Sequence, residues 1–309
     1  MSEDRNARHD KRQARAALLR HGTMDHYADA ELYDFEYRDR VDDILWYRSF
    51  ARRALTTTTS ASPGSLDRSS ARRRVLELGA GTGRVTLPLL ADGHAVTALD
   101  RLRSMLDTLE HKHARALAAA TAEGARLGPL EVVLGDMRAL PFDDASFELV
   151  LAPFNTLQHL YEAQDLLACA REVRRVLKPG GRFAFDVMLP DLDWLLWDAD
   201  RRHGVTEFIH PRTAQRMIYS TNHVYDHHTQ VCHIRIYYDM APPPGVEFTP
   251  PATPLSTVHL AHRQIFPEEL RALISTAGLV LERLDGDFRG RRLGPDVESM
   301  LAICARPID

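Results

Sequence analysis

The run Val75-Leu-Glu-Leu-Gly-Ala-Gly-Thr-Gly-Arg84 constrains this chain more than any other stretch, because a short apolar strand passes there into a turn with three glycines. Gly79, Gly81 and Gly83 alternate, so the backbone can take positive φ values and approach a ligand with no Cβ in the way. A helix is expected from about Val85, with its first N–H groups directed into the crevice at the carboxyl end of the strand. That crevice suits a ligand with a nucleotide-like body. Glycine spacing by itself also fits a purely steric strand-to-helix turn.

Three further apolar runs end in polar residues. Residues 94–100 finish in Asp100, placed 21 residues beyond Gly79, where a carboxylate can accept hydrogen bonds from both hydroxyls of a ribose or, alternatively, cap a helix at Leu102. Leu130 to Leu134 leads to Asp136 beside Met137, a pair able to bond an adenine amino group and pack on its ring. Phe147 to Phe154 leads to Asn155, an amide.

Strand ends carrying glycine, acid, acid and amide, in that order, resemble the class I S-adenosylmethionine-dependent methyltransferases. Their first motif reads Glu-x-Gly-x-Gly-x-Gly, as residues 77–83 do, and the resemblance spans Arg74 to Asp186. It implies that Gly79, Gly81 and Gly83 border the methionine part of the cofactor, that Asp100 binds ribose, and that Asp136 and Met137 flank adenine. Glu77, Ala80, Arg101, Pro153 and Tyr33 complete the implied cofactor-binding set. A dinucleotide-binding dehydrogenase is the competitor, but its turn reads Gly-x-Gly-x-x-Gly, and here Arg84 stands where the last glycine would fall.

The 309 residues suffice for one large domain with additions, and 44% hydrophobic and 27% charged residues are ordinary for a soluble globular chain. No apolar run approaches about 20 residues, so no membrane span is expected, and the first residues lack the apolar core of a secretory signal, which makes the cytoplasm the expected compartment. A net charge of −4 argues against a nucleic-acid partner. The short basic clusters at Arg72–Arg74, Arg174–Arg175 and Arg289–Arg292 read as solvated surface. Cys169, Cys232 and Cys304, odd in number and set in apolar surroundings, read as reduced packing residues.

Along the chain, residues 1–20 read as a disordered basic terminus and 21–55 as a helical aromatic segment. Residues 56–72 are a polar, low-complexity linker. The aromatic segment with Tyr33 is either a lid over the cofactor, as in several members of the resembled family, or a helix docked on the sheet through its rings. Strands near 75–79, 94–99, 131–134, 147–152 and 181–187 alternate with helices, which predicts an α/β fold with a doubly wound, mostly parallel sheet. Residues 73–189 and 267–309 are the expected core. In between, 217–225 and 231–240 read as an antiparallel hairpin closed by 226–229. The resemblance implies a seven-stranded Rossmann-like sheet finished by an antiparallel pair, with 190–266 as a β-rich insertion covering the acceptor.

Methyl transfer from a sulfonium starts with the leaving group already activated, so positioning dominates and a general base is needed only for a protonated acceptor. The residues facing that chemistry are expected after the fourth strand. Asn155 would orient acceptor or cofactor, and His159 would accept a proton or serve as a structural hydrogen bonder. His223 is expected opposite Cys232 in the hairpin, with His233 on the other face, too few ligands for zinc. The expected acceptor is a small molecule methylated on N, O or C by a monomer or homodimer. A protein, peptide or RNA methyltransferase and a non-catalytic S-adenosylmethionine-binding protein are the alternatives.

Overall fold

Strands destined for the middle of a parallel sheet must be apolar on both faces, and four runs of this chain meet that demand. In the computed structural model, which describes residues 25–56 and 74–308, Val75, Leu76, Leu78, Leu149, Val150, Leu151, Phe183 and Phe185 are all buried. The expected basic terminus and all but the first residue of the expected linker lie outside the described residues.

In chain order the elements are α1 (Ala30–Glu36), α2 (Asp42–Thr56), β1 (Arg74–Leu78), α3 (Thr86–Ala91), β2 (Ala95–Asp100), α4 (Arg103–Ala122), β3 (Leu130–Leu134) and β4 (Phe147–Ala152). A 3-10 turn (Thr156–His159), α5 (Ala163–Val176), β5 (Leu177–Met188), α6 (Leu192–Leu195), β6 (His203–Ile209), β7 (Arg216–Asp226), β8 (Val231–Met240) and β9 (Ser256–Arg263) follow. The last elements are α7 (Pro267–Thr276), β10 (Val280–Asp285) and β11 (Ser299–Ala305). The described residues fall into two units, one within Arg38–Leu189 and from Ile265 onward, the other up to Tyr37 and within Pro190–Gln264.

The larger unit is the expected seven-stranded sheet, in the order β10-β11-β5-β4-β1-β2-β3. Strands β1 to β5 pair in parallel, while β11 runs antiparallel to both β5 and β10. Registers Leu78↔Leu99, Asp100↔Leu134 and Glu77↔Leu151 keep the carboxyl ends level, so the polar residues that follow each apolar run gather along one edge. On α5, Leu166, Cys169, Ala170, Val173 and Val176 form one buried stripe, and Leu166, Cys169, Val173 and Val176 join the core with Phe147, Phe183 and Phe185. The helix ends there, and β5 starts at once at Leu177, earlier than the expected 181. Pro179 has no N–H for the ladder and Gly180 takes φ +74°, so the chain bulges between Leu177 and Arg182 before pairing resumes.

The aromatic segment 21–55 is divided between the units at Tyr37. On α2, Tyr47, Phe50, Ala51 and Leu55 recur at helical spacing and pack against Val75, Leu89, Leu149 and Leu151, so this half docks on the sheet through its rings. In the other unit, Tyr27 and Leu32 pack on Met217, Ile236, Tyr238 and Leu260, and the Tyr238 hydroxyl donates to Glu36.

That unit's sheet is an antiparallel meander, β6-β7-β8-β9. Its central hairpin closes one residue later than expected: Gln230 takes φ +58°, Asp226 pairs Val231, and His223 faces Ile234 rather than Cys232. The His223 ring stacks on Trp194 at 4.1 Å and its Nε2 lies 2.8 Å from the Trp194 carbonyl. Among the described residues, no group of three or more potential ligand side chains is arranged for a metal, and no helix is long and apolar enough to cross a membrane. The three cysteines are buried and unpaired, and burial pushes the Cys169 thiol up to about 12.

Candidate functional site

The carboxyl edge of the larger sheet collects most of the residues singled out by sequence. Gly79, Gly81 and Gly83 take φ of +64°, +55° and +85°. The three have different reasons to be glycine. A Cβ on Gly79 would lie 2.6 Å from Thr156 Cγ2, and one on Gly83 only 2.2 Å from Leu109 Cδ1, so those two are closed against the chain itself. A Cβ on Gly81 would meet nothing nearer than Met105 Cε at 3.8 Å. Gly81 is therefore not closed against the chain, and its positive φ is the reason that remains for a glycine there.

Asp100 ties this turn down. Its Oδ2 accepts the Gly81 N–H at 2.8 Å and its Oδ1 the Leu102 N–H at 2.8 Å. Burial raises its pKa, and the backbone N–H groups pull the other way. The carboxylate steadies the entry to α4, as the helix-end alternative expects. Ala80 is buried and donates its N–H to the Leu99 carbonyl at 3.0 Å, while Arg101 is exposed.

Glu77, at the base of the turn, is fully buried and accepts the Thr86 hydroxyl at 2.6 Å. Burial pushes its carboxyl up to about 8, against the opposing pull of Thr86 and Arg84. Asp136, expected to meet adenine, is already engaged. Arg138 donates Nη2 to Oδ2 at 2.6 Å and its backbone N–H to Oδ1 at 2.9 Å, holding the carboxyl below the ordinary range, and also bonds Asp165 at 3.0 Å. Met137 is half-buried against the main core.

After β4 the chain makes an unusual turn. Pro153 is buried, then Phe154 and Asn155 take left-handed φ of 58° and 61°, and Thr156–His159 forms the 3-10 turn that His159 ends. The Thr156 hydroxyl donates to the Pro153 carbonyl at 2.7 Å. Phe154 and Asn155 donate their N–H groups to the two oxygens of Asp186 at 2.8 and 3.3 Å, and the Tyr47 hydroxyl donates to the same carboxyl at 2.6 Å. Arg84 reaches across to ion-pair with Asp43, and its guanidinium lies 4.4 Å from the centre of the Phe154 ring. The sequence reading missed Asp43, Tyr47, Arg138 and Asp186. An acid within the apolar run Phe183 to Val187 was the visible signal for Asp186. Tyr33 belongs to the smaller unit, where its ring meets Tyr37 at 4.9 Å and Tyr27 at 5.6 Å.

Replacing Gly79 by alanine is expected to cost about 2 kcal/mol of stability in urea unfolding, from the positive φ and the overlap with Thr156. Adding Thr156→Ala should recover part of that loss, and strictly additive effects would show that the contact is not its source.

The Methyltransferase domain family matches residues 76–185, the stretch from the glycine turn to β5. Solved structures with this fold cover most of the chain. The CcbJ methyltransferase from Streptomyces caelestis is 24% identical, with a TM-score of 0.62 over 85% of this chain and 94% of its own. This chain has the class I S-adenosylmethionine-dependent methyltransferase fold.

An S-adenosylmethionine-dependent methyltransferase from Clostridium acetobutylicum is 16% identical, with a TM-score of 0.63 over 90% of this chain and 97% of its own. CalS10, an amino pentose methyltransferase from Micromonospora echinaspora, is 18% identical with a TM-score of 0.56, covering 89% and 97%. Among curated proteins, the cypemycin N-terminal methyltransferase of a Streptomyces species is 29% identical over 235 residues, 76% of this chain and 83% of its own. The demethylmenaquinone methyltransferase of Beutenbergia cavernae is 35% identical over 141 residues, 45% of either chain. The residues at this edge suit S-adenosylmethionine: a glycine turn that the chain does not close at Gly81, a carboxylate that meets it at Asp100, and level strand ends between them.

Proposed function

We propose that this methyltransferase transfers the methyl group of S-adenosylmethionine to a nucleophilic atom of a small-molecule acceptor. The observation that carries the cofactor half is the Gly81–Asp100 pairing at the sheet edge. Gly79, Gly81 and Gly83 would border the methionine part and Asp100 the ribose. Asp136 and Met137 would flank adenine, with Arg138 fixing the carboxylate's direction. When bound, the cofactor supplies an activated methyl group on a positively charged sulfur.

The chain's own contribution is alignment. Asn155 is presented by a turn whose backbone N–H groups are tied to Asp186, so its amide would orient the acceptor along the line of attack. For an acceptor that carries a proton, His159 at the end of the same turn would take it up. A small acceptor is supported by the four-stranded sheet inserted between β5 and α7, which gives the chain a separate element for recognition, and by the acidic balance, which disfavours polynucleotides. CalS10's amino pentose is an acceptor of that size.

A second reading, methylation of a peptide amino terminus, is favoured by one observation: the cypemycin N-terminal methyltransferase aligns with 76% of the chain. Calorimetric titration with S-adenosylmethionine, followed by methyl-transfer assays on amino sugars, phenols, quinols and short peptides, separates the two. Binding with a micromolar dissociation constant and turnover confined to non-peptide acceptors is the expected result. Turnover of peptides alone would establish the second reading, and absence of cofactor binding would remove both.

A further inference from the structure

We propose that Asp186 is a positioning residue for methyl transfer, its carboxylate holding the turn after β4 in the left-handed form that sets Asn155 at the sheet edge. The proposal rests on the methyltransferase reading above. Its starting point is that Phe154 and Asn155 are consecutive non-glycine residues with positive φ, an unfavourable backbone for a bulky aromatic. Such a conformation persists only where the surroundings over-determine it.

Asp186 supplies that determination. Its Oδ1 takes the Phe154 N–H at 2.8 Å and its Oδ2 the Asn155 N–H at 3.3 Å, so one rigid carboxylate spans two successive peptide groups. The Tyr47 hydroxyl, donating at 2.6 Å, fixes the carboxylate from α2. From the other side of the turn, the Arg84 guanidinium lies 4.4 Å from the Phe154 ring centre, held by Asp43 and by the Arg40 carbonyl at 2.8 Å. An interior carboxylate is costly, and packing alone gives no reason for one between Phe185 and Val187. The two amides of the turn do.

The arrangement is sensitive to protonation. The charged and titratable groups around the carboxyl are Tyr47 and Asp43 on α2, Glu77 on β1 and Arg84 beyond the Phe154 ring. Burial raises the Asp186 carboxyl to about 6, with Asp43 adding to the rise, while Tyr47 and the two amides oppose it. Once protonated, the carboxyl carries one O–H donor and accepts less well, so the hold on the turn weakens in acid.

The test joins a measurement on the cofactor-free protein to kinetics. In NMR titrations from pH 4.5 to 8, the Phe154 and Asn155 amide signals of the wild type should move together with a midpoint near 6, and Asp186→Asn should abolish that shared movement. In steady-state assays, Asp186→Asn should lower kcat about thirtyfold and Tyr47→Phe about fivefold, with KM for S-adenosylmethionine changed less than about threefold, as expected of lost alignment. The acid limb of kcat should disappear in Asp186→Asn.

Amide signals without a shared midpoint would overturn the grip itself, whatever the protein methylates. With the grip present, a kcat within about twofold of wild type in Asp186→Asn would overturn the positioning role, as would equal losses of cofactor affinity and kcat in both variants. A wild type that shows the amide titration yet does not bind S-adenosylmethionine would overturn the methyltransferase reading and, with it, the role assigned to the turn.

Discussion

Asp100→Ala is expected to weaken S-adenosylmethionine binding by at least about a hundredfold, measured by calorimetry, while the protein remains folded. Two losses combine. The cofactor's ribose loses a charged acceptor, and hydrogen bonds to charged groups contribute roughly 1.5–3 kcal/mol each. The Gly81 and Leu102 N–H groups, which donate to this carboxylate at 2.8 Å, lose their partner at the same time, so the glycine turn proposed to hold the cofactor is itself released. Asp100→Asn should fall between alanine and wild type, because an amide oxygen can still accept one N–H while its NH2 opposes the other. A dissociation constant within about threefold of wild type for Asp100→Ala would mean that the ribose lies elsewhere and that Asp100 serves only the entry to α4.

This site was legible in the sequence to the extent that each part lies at the end of its own strand. A buried parallel strand reads as an apolar run, and the residue that ends it is visible without knowing its neighbours, which is why Gly79, Asp100, Asp136 and Asn155 could be singled out as candidates one at a time. What joins them was not legible. The bond between Tyr47 and Asp186 spans 139 positions, and nothing local to either residue announces it. The pairing of Asp136 with Arg138 is local, but an acid two residues before an arginine is as common on a solvated surface, so the spacing carried no signal. The hairpin register turned on whether Gln230 would accept a positive φ, a choice made by the pairing of β7 with β8 rather than by the turn's composition.

The aromatic segment shows the same limit differently. Its rings announced burial, and both readings of that burial were open from sequence alone. Helical spacing from Tyr47 to Leu55 gives α2 one continuous apolar face for the sheet, whereas α1 has no fully buried residue and its neighbourhood packs with the inserted strands. Aromatics run through the whole segment, but buried residues at helical spacing appear only on α2.

Glu77→Gln is expected to make the protein more stable than wild type above about pH 8, by roughly 2–4 kcal/mol in urea unfolding, and to leave stability near pH 5 almost unchanged. The folded-state carboxyl lies near 8 against an ordinary value of 4.5, and burial is the largest cause. Between those two values the native state holds a proton that the unfolded chain has released. Wild-type stability from this group is therefore fully present below about pH 4.5 and is lost as pH rises through 8. Asp186, raised by burial from 3.8 to about 6, contributes a slope of the same sign at lower pH, so it does not mask the effect. Glutamine has the volume of glutamic acid and an oxygen for the Thr86 hydroxyl, which donates at 2.6 Å, but no charge to bury. Parallel stability curves for the two proteins from pH 5 to 9 would show that Glu77 ionises normally and that some other group relieves its burial. Converging curves at low pH and separated ones at high pH would show that the base of the glycine turn is held by a neutral acid at pH 7.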